Sequence, residues 1–132
     1  MQFDEFTGKV QHKAKLATTG EALAAIRATL ETLAERIAGD EPKNLAAQLP
    51  QEIGKYLEGS HIVERFSLAD FFDRVTEKEG VDKPVAVYHA RAVIDTVMEA
   101  VSEGEIEDLK AQLPDEWSPL FEMGAEGNLD IG

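Results

Sequence analysis

The chain has 132 residues, with 26 acidic against 13 basic side chains and a formal charge of −13, which is the size of one domain and strongly acidic. Such a field repels phosphate backbones and anionic lipid, so neither nucleic acid nor a membrane surface is an expected partner. The absence of cysteine excludes disulfides, thiolate metal sites and a cysteine nucleophile.

Met1 to Phe6 carry two acids and no apolar run, and no later window reaches the roughly eighteen apolar residues of a membrane span. The expected setting is therefore cytoplasmic, and the acidity is also compatible with a salty cytoplasm. Phe3, Phe6 and Val10 recur at spacings of three and four, which predicts a helix over Phe3 to Ala14. Thr18-Thr19-Gly20-Glu21 reads as a capping box that starts a long helix. Leu23, Ile26, Leu30, Leu33 and Ile37 give it one apolar face up to Ala38, and Gly39 supplies a left-handed stop.

Asp40 is suited to cap a third helix, with Glu41 and Pro42 in its first turn. Leu49 precedes proline and should form a corner, after which Pro50 opens a fourth helix ending near Leu57. Glu58 to Glu64 has no pattern and is the expected connector. Ser67 to Asp70 then caps a helix carrying Phe71, Phe72 and Val75 and ended by Gly80. Asp82, Lys83 and Pro84 start the second long helix, whose stripe is Val87, Ala90, Ile94, Val97 and Val101. Val93 and Met98 widen that stripe, so this helix is expected to be the more central. Glu105 to Gln112 and Pro114 to Phe121 supply two more helices, with Trp117, Leu120 and Phe121 capping the core. Residues 123–132 contain three glycines and little apolar mass and are expected to form a flexible tail.

The chain repeats itself. Ala47-Gln48-Leu49-Pro50 returns as Ala111-Gln112-Leu113-Pro114, 64 positions later, and the windows 27–57 and 91–121 share eleven of thirty-one residues without a gap. Every segment has a helical cap or stop, and neither half can bury its own stripe. The expected fold is all-α and a single domain over 1–132. It consists of two tandem units of about 64 residues and about four helices each, 2–58 and 66–122, packed with pseudo-two-fold symmetry.

Phe3-Asp4-Glu5-Phe6, Ala28-Thr29-Leu30-Glu31-Thr32-Leu33, both Gln-Leu-Pro corners and Tyr88-His89-Ala90-Arg91 carry a family likeness. The chain resembles the prokaryotic family called domain of unknown function 2267 over residues 2–123. The resemblance implies a small helical protein and brings no catalytic or ligand-binding residue with it.

One polar pattern occurs in both halves: Arg27, Glu31 and Glu35 in the first, Arg91, Asp95 and Glu99 in the second. The readings weighed for this stripe are a solvated helix edge with i,i+4 pairs, arginines reaching the carbonyls of the Gln-Leu-Pro corners, and four carboxylates converging on a hard cation. The structural readings are preferred, because the helical wheel turns these carboxylates from the core and no Glu-x-x-His pairing accompanies them. His12, His61 and His89 lie in three elements with no partner at zinc spacing, and Lys9, Lys13 and Lys15 read as a solvated face. No nucleophile elbow or phosphate loop is present, so no catalytic, cofactor-binding or metal residue is expected. The function is unknown. The expected class is a non-enzymatic helical module that binds an unidentified protein partner or forms a homo-oligomer, the alternative being a small-ligand or metal-binding regulatory protein.

Overall fold

A computed structural model describes residues 1–59 and 62–123, so the expected tail from residue 124 onward lies outside the described residues. Among them every regular element is a helix and none is a strand: α1 Phe3–Lys13, α2 Thr19–Ala34, α3 Glu41–Ala47, α4 Gln51–Gly54, α5 Leu68–Glu79, α6 Lys83–Ala100 and α7 Glu103–Ala111. Two 3₁₀ segments complete the set, Lys55–Leu57 directly after α4 and Asp115–Phe121 after α7. No helix among the described residues is long and apolar enough to cross a membrane.

Local chemistry explains most of the boundaries. Thr18 Oγ accepts from the Glu21 amide at 3.1 Å while Glu21 takes the Thr18 amide at 3.1 Å, closing the capping box of α2. Ser67 and Asp70 do the same for α5, and Gly80 ends that helix at φ 75°, a conformation that side chains with a Cβ resist. Asp40 and Asp82 precede their helices as expected but make no side-chain cap bond.

The end of α2 differs from the sequence expectation. The helix stops at Ala34, not Ala38, and the chain tightens into i→i−3 bonds from Glu35 to Thr32 and Arg36 to Leu33. Gly39 adopts φ 65° only at the far side of that turn. The cause is tertiary: Arg36 is drawn inward, where its Nε donates to the Phe66 carbonyl at 2.9 Å and its guanidinium lies 5.3 Å from the Trp117 ring. Ile37 stays buried all the same.

The core is built by α1, α2, α5 and α6. α1 touches α2 and α6, α5 touches the same two helices, and α2 and α6 meet directly. Phe6, Val10, Ile26, Leu30, Leu33, Phe71, Val75, Val93, Ile94 and Val97 are fully buried there. Each large side chain removed from water in this way stabilises by about 1.5–3 kcal/mol. The sequence pattern made α6 the more central long helix; instead α2 and α6 are equally central, each burying nine residues. Small residues account for this, since Ala22, Ala25 and Ala28 let neighbours approach α2 on sides its leucines do not occupy. Trp117 closes one end, edge-on to Phe71 at 5.2 Å between ring centroids.

Candidate functional site

The polar stripe is dispersed among different partners. Arg27 is exposed and donates to Glu31 at 3.0 Å within its own helix, whereas Arg91 at the corresponding position is buried, 5% exposed, with its Nε unpartnered. No hydrogen bond joins either arginine to a Gln-Leu-Pro corner among the described residues. Glu35 takes Arg74 at 3.0 Å and Lys78 at 2.7 Å, both from α5. Glu99 takes Lys9 at 3.1 Å together with Lys13, and Asp95 takes Lys13 at 2.8 Å, so these acids face α1. Burial pushes the Glu35 carboxyl up, but its bonds to Lys78 and Arg74 outweigh that and hold it below the usual range. For Glu99 the Lys13 bond is the largest influence and lowers the carboxyl against its partial burial, with Lys9 adding to the effect.

The four stripe carboxylates therefore do not converge on one point. Lys9 and Lys13, expected to be a solvated face, instead tie α1 to α6. Arg27, Glu31, Glu35, Lys55, Tyr56 and Lys78 border an open cleft of about 740 Å³. The cations and anions of this cleft largely neutralise one another.

The corner glutamines make bonds the sequence did not foretell. Gln48 Oε1 accepts from the Ser102 amide at 2.7 Å, and Gln112 Oε1 accepts from the Ala38 amide at 2.8 Å while its Nε2 donates to the Ala38 carbonyl at 3.2 Å. Each corner thus grips the chain where the opposite long helix gives way to the next segment.

A second acidic group lies where α3 meets α7. Carboxylate oxygens of Glu41, Glu105 and Asp108 lie within 4.8 Å of one another. Glu41 is 6% exposed and Glu105 8%, and Oε2 of each is buried without a hydrogen-bond partner. Burial, then the neighbouring carboxylate of Glu105 and the charge of Asp108, push the Glu41 carboxyl up to about 8. Gln48 Nε2 donates to Glu105 Oε1 at 3.4 Å, and Ser102 Oγ caps α7 by accepting from the Glu105 amide at 3.2 Å. A helix-by-helix reading misses this group because its members sit on two elements. The signal that points to it is the duplication, since Glu41 and Glu105 are one of the identities between the windows.

His89 is buried. Its Nδ1 lies 2.5 Å from Glu79 Oε2 in a pair whose side chains are 8% and 4% exposed. This pair joins the end of α5 to α6.

Fold and site together define a small all-helical protein whose interior polar groups bridge helices from opposite ends of the sequence. The chain belongs to the family described as uncharacterized conserved protein (DUF2267), which matches residues 3–120. Among curated proteins the comparison finds no match. Membership in an uncharacterized family assigns no activity, and the function of the chain is unknown.

Proposed function

We propose that the chain is a non-enzymatic helical module that works by self-association or by docking on another protein, built as two tandem units, 2–58 and 66–122, about a pseudo-two-fold axis. Reciprocal bonding supports the tandem architecture. Gln48 reaches residue 102 and Gln112 reaches residue 38, positions 64 apart in each case. Glu35 is held by two cations of α5, and Glu99, again 64 positions on, by two cations of α1.

A single surface feature carries the binding reading. Ile62, 74% exposed, and Val63, 45% exposed, stand side by side on the connector between the proposed units. Adjacent exposed apolar side chains have a use when another surface covers them. The chain that follows them is tied down at Glu64, whose amide donates to the Glu35 carbonyl at 2.8 Å and whose carboxylate pairs with Arg74 at 2.9 Å. The proposal includes a cytoplasmic setting, consistent with a chain that has no cysteine.

Sedimentation velocity over a wide concentration range tests the reading. The intact chain should form a concentration-dependent dimer, and Ile62→Ser combined with Val63→Ser should abolish it without changing the melting temperature. A monomer at every concentration would remove the self-association form. Lysate capture that is identical for wild type and the double variant would remove the docking form.

A further inference from the structure

We propose that Glu41, Glu105 and Asp108 form a binding site for one hard divalent cation, at the junction of α3 and α7. The residues are not those of the Arg and carboxylate stripe, and the site is independent of the docking function proposed above.

Three observations carry it. The first is the donor set. All three ligands are carboxylates, which suit a hard cation, and Glu105 and Asp108 stand three residues apart on α7, so both project from one helix face toward the start of α3. The second is the pair of buried oxygens. Glu41 Oε2 and Glu105 Oε2 have no hydrogen-bond partner although their side chains are more than nine-tenths buried. A buried acceptor without a partner is costly, and a bound cation satisfies two such oxygens at once. Of the other carboxylates at helix contacts, Glu35, Asp95 and Glu99 each have a lysine or arginine and Glu79 has His89, whereas no ion pair among the described residues involves Glu41, Glu105 or Asp108.

The third is the kind of ion. Ca²⁺ accepts carboxylates in flexible geometry, whereas Mg²⁺ demands a near-ideal octahedron and keeps most of its waters, so carboxylates gathered from two helices suit Ca²⁺ better. The three carboxylates lie within 4.8 Å of one another, close enough to share one ion. Asp108 is exposed, so the site opens to solvent on one side, where water completes the coordination shell. Gln48 positions Glu105 by donating to its Oε1 and, through the Ser102 amide, fixes the start of α7.

The test is a thermal melt of the intact chain with CaCl₂, MgCl₂ or MnCl₂ against a chelator, at constant ionic strength and mildly alkaline pH, with isothermal titration of the same ions. The expected result is a saturable rise in melting temperature, larger for Ca²⁺ than for Mg²⁺. Asp108→Asn, a surface change that leaves the fold intact, should weaken Ca²⁺ binding by about tenfold or more, on the scale of ligand-shell losses. Glu105→Gln should abolish binding, and Glu31→Gln on the stripe should leave it unchanged. No saturable rise with any ion would overturn the proposal, as would a rise retained in both Glu105→Gln and Asp108→Asn.

Discussion

The raised carboxyl of Glu41 predicts an unusual pH dependence of stability. Its carboxyl sits at about 8 in the folded chain against an ordinary 4.5. A group raised in this way contributes stability that is fully present below the unfolded value and is lost as pH rises through the folded one. The difference of about 3.5 units corresponds to at most about 5 kcal/mol, at 1.36 kcal/mol per unit. At the acid end Glu35 and Glu99 act in the opposite sense. Their lowered carboxyls contribute stability that is present above the ordinary value and is lost as pH falls through their folded values. Stability should therefore peak in mildly acidic solution and decline from about pH 5 to 8. Urea unfolding followed by the fluorescence of Trp117, with chelator present throughout, measures this directly. Glu41→Gln keeps a hydrogen-bond donor beside Glu105 but cannot ionise, so the variant should match the wild type near pH 5 and exceed it above about pH 8. A wild-type profile that is flat from about pH 5 to 8, or a decline over that window that persists in Glu41→Gln, would refute the reasoning.

Other substitutions report on packing and charge. Gly54→Ala would place a Cβ 2.8 Å from the Ala46 carbonyl oxygen, so it should destabilise by about 1–3 kcal/mol in urea titrations despite its better helix propensity. Gln48→Ala and Gln112→Ala should each cost about 1–3 kcal/mol for two lost hydrogen bonds, whereas Arg27→Ala should cost no more than about 0.5 kcal/mol, because its bond to Glu31 is an exposed i,i+4 pair. Melting temperature should rise with sodium chloride as the screening length falls from about 30 Å at 0.01 M to about 3 Å at 1 M, since the chain carries a charge of −13. A melt unchanged over that range would show that the repulsion is too diffuse to matter.

Features governed by neighbouring residues were legible in the sequence. The Thr18–Glu21 and Ser67–Asp70 boxes, the Gly80 stop, the Leu49–Pro50 corner and the apolar faces of the long helices all follow from the chemistry of a few adjacent positions. Features governed by which helices meet were not. Arg27 and Arg91 occupy equivalent sequence positions, yet one is exposed and the other buried, because burial depends on the opposing helix. The same limit explains the early end of α2, where Arg36 turns toward Phe66 and Trp117. Glu41 and Glu105 look like ordinary acids of two first turns until α3 and α7 are brought together. The glutamines of the repeated corner were visible as a pattern, but their partners at Ala38 and Ser102 were not, since a wheel records faces and not contacts across the fold.

The claim that two tandem units complete each other is tested most directly by expressing residues 1–60 and 61–132 separately and mixing them. The bonds that cross between the halves, from Glu35 to α5, from Glu99 to α1 and from each corner glutamine to the opposite half, leave neither half with its stripe covered. Each fragment alone should therefore lack a cooperative thermal transition in circular dichroism, and an equimolar mixture should regain one. A fragment that is monomeric and unfolds cooperatively by itself would contradict the account.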